Sequence, residues 1–148
     1  MDYKLIASDL DGTLLLPDMS ISPQNMAAIA ELTNRGVYFV PASGRTLREI
    51  PQALTQSPYI RYVIYSNGAA TADLQTGEQF LLCIDRALSN WVLDTIAPFK
   101  THIPLRKDGV SYVPAAEQTA EYRAACNLWD THRRILDPFG EQVEDFEA

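Results

Sequence analysis

The chain has 148 residues, 47% of them apolar and 21% charged, with a formal charge of −7. Such a length predicts one domain, or one and part of another, with enough apolar material for a packed core. The acidic balance argues against a nucleic-acid partner, whose phosphates need a basic surface, and no run approaches the ~20 apolar residues of a membrane span. The N-terminus lacks a basic region followed by a long apolar one, so no signal peptide is expected. Cys83 and Cys126 are isolated and form no metal motif. A cytoplasmic setting with both thiols reduced is the expectation.

In chain order, residues 4–8 form a short apolar run that stops at polar residues, which predicts a buried strand. Ser22-Pro23 supplies an N-cap with proline at the first helical position. Met26, Ile29, Ala30 and Leu32 fall on one helical face, and Gly36 ends that helix. Val37 to Val40 predicts a second strand, halted by Pro41. A second helix is expected from about Thr46, with Leu47, Ile50 and Leu54 inward. Pro51 sits either in its first turn or shortens it. Tyr62 to Tyr65 is a third strand, stopped by Ser66-Asn67-Gly68.

Apolar strands alternating with helices predict an α/β fold, a Rossmann-like parallel sheet covered on both faces. After about residue 70 the pattern changes. A hairpin is expected over Thr71 to Ile84 around Gln75-Thr76-Gly77-Glu78, then a helix from Arg86 to near Pro98 with Leu88, Trp91, Val92 and Ile96 on one face. A second hairpin, Ile103 to Val113, turns at Asp108-Gly109. Residues 115–134 read as helical, and the tail from Glu141 is acidic. The division expected is a core over residues 1–80 and a second, incomplete α/β domain over residues 81–148.

In such sheets ligands bind beyond the carboxyl ends of the strands. Three polar motifs interrupt the chain there: Asp9 to Thr13, Ser43 to Arg45, and Asn67-Gly68. Asp9 and Asp11 stand two apart, so an extended backbone directs both to one side. Gly12 then permits a sharp turn, and Thr13 adds a hydroxyl. Two carboxylates ~4 Å apart repel by about 4 kcal/mol at an effective dielectric of ~20, so one stays protonated or a cation sits nearby. A hard ion such as Mg²⁺ suits carboxylate and carbonyl oxygens. The set suits phosphoryl transfer: one carboxylate attacks phosphorus, and the other, at a raised pKa, serves as acid and then base. Ser43, backbone N–H groups of residues 43–45 and Asn67 are candidates to hold phosphate oxygens. Plainer roles remain open at each position. Ser43 also suits a helix cap, Arg45 a salt-bridged helix residue, and Asn67-Gly68 a simple turn.

Asp9-Leu10-Asp11-Gly12-Thr13 resembles the D-x-D-G-T signature of haloacid dehalogenase-like phosphohydrolases. Ser43-Gly44-Arg45 resembles that family's second motif, and Ser66-Asn67-Gly68-Ala69 the S-N-G-A of its Cof-type branch, which inserts an α/β cap domain next. The resemblance implies a Mg²⁺-dependent phosphatase of small phosphorylated metabolites. It implies Asp9 as nucleophile and metal ligand, and Asp11 as acid/base with its carbonyl on the metal. Thr13, Ser43, Gly44, Arg45 and Asn67 are then the phosphate-binding side of the site.

The family also carries a lysine near the phosphate and a late G-D-x-x-x-D-type acidic motif. Gly140 to Asp145 is only faintly like the latter, and neither Lys100 nor Lys107 is assigned the lysine's role. The expectation is therefore the N-terminal part of such a hydrolase, with activity much reduced. The alternative is a non-catalytic fragment or interaction module of the same lineage, and mutase-type transfer is a narrower option. An unpaired sheet edge favours self-association, but the sequence assigns no oligomeric state.

Overall fold

The structure, a computed structural model, describes residues 3–96, 98–99, 105–107 and 110–112. The chain divides into two compact units, Met1–Leu82 and Cys83–Ala148. The first unit holds strand β1 (Leu5–Asp9), helix α1 (Pro23–Asn34), β2 (Tyr38–Ala42), a 3₁₀ turn (Leu47–Glu49) and helix α2 (Gln52–Thr55). It continues with β3 (Tyr62–Tyr65), β4 (Ala70–Asp73) and β5 (Gln79–Leu81).

These strands form one five-stranded sheet in the order β1-β2-β3-β4-β5. The first three are parallel, and the β4–β5 hairpin extends the sheet antiparallel. Helix α1 starts as its sequence dictates: the Ser22 hydroxyl accepts from the Asn25 N–H at 3.1 Å, with Pro23 next. The chain leaves it through Gly36 at φ +78°, a conformation glycine adopts without strain.

β2 runs past the expected stop, through Pro41 to Ala42. Proline's φ suits a strand, and its cost is a missing N–H. That loss is tolerated because the β2–β3 ladder is registered only at Ala42↔Ile64, with the Ser43 N–H donating to Ile64 O. The second helix is broken in two. Ile50 precedes Pro51 and is extended (ψ 131°), as a residue before proline prefers, so only a 3₁₀ turn and one α turn remain. Ile50 and Leu54 still point inward.

One core cluster holds Ile29 of α1, Leu54 of α2, Phe39, Val63, Tyr65, Ala70 and Ala72, together with Leu10, Leu14 and Leu15. The two faces of the sheet are unevenly covered in the described residues: Val40 is buried on the face it shares with Tyr38, but the start of that face is open. Leu5 and Tyr38, paired across β1 and β2, are 52% and 44% exposed. The reason is topological. Strand order 1-2-3 advances in one direction, so right-handed crossovers place α1 and α2 on the same face.

The second unit begins with helix α3 (Arg86–Ile96) and a hairpin of β6 (Leu105–Lys107) and β7 (Val110–Tyr112). Its register runs from Leu105↔Tyr112 to Lys107↔Val110, and the turn expected at Asp108-Gly109 lies outside the described residues. Leu88 and Trp91, on the predicted apolar face of α3, are exposed. The helix expected over 115–134, the acidic tail and the Gly140 to Asp145 segment lie outside the described residues. No described helix is long and apolar enough to cross a membrane.

Candidate active site

The sequence around Asp9 builds its own pedestal. Leu10 is fully buried at 0% exposure, whereas Asp9, Asp11, Gly12 and Thr13 are exposed. The alternation out-in-out is that of an extended chain whose apolar middle residue is anchored in the core. Extension persists through Asp11 (φ −77°, ψ 117°), and Gly12 then turns at φ +75°. The Leu15 N–H donates to Leu10 O at 2.9 Å and closes a wide turn, which returns Leu14 and Leu15 to the core. A bridge between Leu15 and Ile21 then carries a small loop with Met19 at φ +69°.

The three predicted motifs do converge. Asp9 registers with Ala42 at the ends of β1 and β2, one residue before Ser43. Ser43 O accepts from the Asn67 N–H at 3.1 Å, and Arg45 O from the Ser66 N–H at 2.8 Å. Asn67 takes a left-handed conformation (φ 57°, ψ 33°), which brings its amide over Gly44. A Cβ at residue 44 lies 2.7 Å from Asn67 Oδ1, so glycine is needed there for close approach. Gly44→Ala is expected to displace the exposed Asn67 amide. The stability change should stay within about 0.5 kcal/mol, since the amide has room to move. Titration with inorganic phosphate and urea unfolding of the same variant check this: binding weakens, the midpoint does not move.

Two expectations for this site are corrected. Backbone N–H groups of Ser43 and Arg45 are not free for phosphate: the first donates to Ile64 O and the second to Ser43 Oγ at 3.2 Å. Ser43 thus closes a local turn and caps no helix, because the turn that follows starts at Leu47 with Thr46 as its cap. Its buried hydroxyl keeps its own proton to donate. The second correction concerns Asp11. A raised pKa is expected for an acid; instead the hydrogen bond from Arg45 lowers it below its ordinary 3.8, and burial opposes this only in part.

Arg45 is the cation that makes the second carboxylate tolerable. Its Nε donates to Asp11 Oδ2 at 2.9 Å and its Nη2 to Oδ1 at 2.7 Å, a two-pronged pair. Nη1 donates to Glu49 O at 2.9 Å, and Nη2 lies 3.3 Å from Met19 Sδ. Glu49 is fixed in turn, its Oε2 accepting from the Thr46 N–H at 2.6 Å. Sequence reasoning missed Glu49, although Thr46-x-x-Glu49 has capping-box spacing. It also missed Met19, for which no local signal exists.

The pair has a pH signature. A depressed carboxylate pKa contributes stability above the unfolded value and loses it as pH falls through the folded one. The stability difference between wild type and Arg45→Gln should therefore be constant near neutrality and shrink below pH 3.8. Urea unfolding across a pH series reads it.

Asp9 differs from Asp11. Among the described residues its carboxylate has no hydrogen-bond or ion-pair partner. No cluster of three His, Cys, Asp or Glu among them could hold a metal. The Asp9 carboxylate and the Asp11 carbonyl remain as oxygen donors at the mouth of the site. That set fits Mg²⁺, which keeps several waters and takes one or two carboxylates with phosphate oxygens.

Known proteins fit this arrangement. The sequence family of haloacid dehalogenase-like hydrolases matches residues 6–144. A *Bacillus subtilis* 5-amino-6-(5-phospho-D-ribitylamino)uracil phosphatase, YcsE, is 40% identical over 98 residues, covering 63% of this chain and 38% of its own. A *Yersinia pestis* HMP-PP phosphatase is 31% identical over 110 residues, covering 72% and 40%. The chain thus spans about two fifths of the length of the curated relatives it matches. Among solved structures, a haloacid dehalogenase-like hydrolase from *B. subtilis* superposes with a TM-score of 0.73 at 23% identity, over 98% of this chain and 57% of that one. With a match from Ile6 in β1 onward that takes in all three strand-end motifs, this chain belongs to the haloacid dehalogenase-like hydrolases.

Proposed function

We propose that the chain carries the nucleophile-bearing part of a Mg²⁺-dependent phosphohydrolase acting on small phosphorylated metabolites. One observation carries this reading: Asp9 is an exposed carboxylate at a strand end, without a partner among the described residues, beside a second carboxylate already neutralised by Arg45. An unpaired carboxylate is free to attack, whereas a paired one is not.

In this reading an Asp9 oxygen forms a bond to phosphorus as the ester oxygen leaves, giving an aspartyl-phosphate. Asp11, held ionised by Arg45, takes a proton from the water that releases phosphate, while the leaving oxygen is protonated from solvent. Ser43, Thr13 and Asn67 orient phosphoryl oxygens, and Gly44 keeps room for the Asn67 amide. Mg²⁺, held by the Asp9 carboxylate and the Asp11 carbonyl, supplies charge neutralisation when bound. The second unit is assigned as a cap that selects substrate, with residues 81–148 as its extent, and a cytoplasmic setting belongs to the same reading. Both curated relatives named above are phosphatases of small molecules by their names.

Turnover by this chain is expected to be low. Lys4 is the only lysine of the first unit, and it lies before the opposite end of β1 from Asp9. A second reading is a non-catalytic module of the same lineage, for which the lowered Asp11 pKa, unsuited to an acid, speaks. Phosphate release from p-nitrophenyl phosphate, with and without Mg²⁺, separates them. Mg²⁺-dependent release that Asp9→Asn loses supports the enzyme; no Mg²⁺-dependent release supports the module.

A further inference from the structure

We propose that Arg45 is a positioning residue: it holds the Asp11 carboxylate in place from behind and does not itself bind the phosphoryl group. This rests on the phosphohydrolase reading and changes the role that family resemblance implies for Arg45.

The geometry is asymmetric. The Arg45 side chain is 10% exposed and that of Asp11 is 54% exposed, so the carboxylate stands between the guanidinium and the open mouth. A guanidinium has five N–H donors. Two go to Asp11, one to Glu49 O, and the Nη2 group also meets Met19 Sδ. The Nε/Nη2 edge is already on Asp11, and the Nη1/Nη2 edge is turned to Glu49 O and Met19 Sδ. A phosphate could take it only by displacing the carboxylate that the reaction needs.

The mounting is rigid for the same reason. Arg45 N donates to Ser43 Oγ and its carbonyl accepts from Ser66 N–H, so the backbone is fixed within its own loop and tied to the neighbouring loop after β3. Glu49 O, which receives Nη1, belongs to the turn closed by Thr46 and Glu49. One side chain thus links the Asp11 loop, the Ser43 loop and the Met19 loop. A lysine keeps the charge but lacks the planar fork.

A double-mutant cycle tests this, with inorganic phosphate and Mg²⁺ as the probe and NMR titration as the readout. Wild type, Arg45→Gln, Asp11→Asn and the double variant are compared. If Arg45 acts only through Asp11, Arg45→Gln weakens phosphate binding in the wild type and changes it less than about twofold in the Asp11→Asn background. A loss of about tenfold or more in both backgrounds makes Arg45 a phosphate ligand and overturns the proposal. Arg45→Lys should behave like Arg45→Gln, and wild-type affinity in Arg45→Lys also overturns it.

The Arg45 Nε–H resonance gives an independent readout that needs neither binding nor a folded Arg45 variant. It should be slowly exchanging in the wild type and lost or shifted in Asp11→Asn. An unchanged resonance ends the proposal and leaves the Asp9 chemistry standing. Absence of any saturable phosphate binding by the wild type ends both.

Discussion

Asp9→Asn is expected to lower Mg²⁺-dependent phosphate release by about 10³-fold or more, a loss of roughly 4 kcal/mol of transition-state stabilisation. The amide has nearly the shape of the carboxylate but cannot attack phosphorus. Because Asp9 is exposed and has no partner among the described residues, its replacement leaves the unfolding midpoint in place. Asp11→Asn should fail differently. The nitrophenolate of p-nitrophenyl phosphate leaves without a proton, so the first half-reaction survives and the second, which needs a base, slows by about 10²–10⁴-fold. A rapid-mixing trace then shows a burst of nitrophenolate near one equivalent in Asp11→Asn and none in Asp9→Asn. A burst in Asp9→Asn would place the nucleophile elsewhere.

Leu10→Ala is expected to destabilise the first unit by about 2–5 kcal/mol, the range for a fully buried leucine cut back to alanine. Leu10 is in the central cluster with Leu14, Leu54, Val63 and Tyr65, at 0% exposure. The effect has a functional side, because burial of Leu10 is what turns both flanking carboxylates outward. Leu10→Met, which keeps most of the volume, should cost less than about 1.5 kcal/mol. Urea unfolding reads both as a lower midpoint with an unchanged slope. A Leu10→Ala midpoint equal to wild type would mean that the pedestal under Asp9 and Asp11 is not built from this contact.

Much of the first unit is legible from local pattern alone. Three apolar runs of strand length, the Ser22-Pro23 start of α1, and the Asp9-to-Thr13 motif are set by contacts within a few residues, where propensity and alternation act. The joining of the three motifs at one sheet end follows as soon as the strands are parallel.

Other features depend on partners distant in sequence. That Pro41 is tolerated inside β2 depends on which ladder bonds β3 demands. Exposure of Leu5 and Tyr38 depends on strand order, which puts both crossovers on one face. Asp11's pKa direction depends on a guanidinium 34 residues away. From the sequence, two neighbouring carboxylates require a cation, and a divalent metal is the natural candidate. Only tertiary structure decides that Arg45 already serves one of them and leaves Asp9 alone free, because electrostatic neutralisation acts through space and carries no signature in local residue spacing.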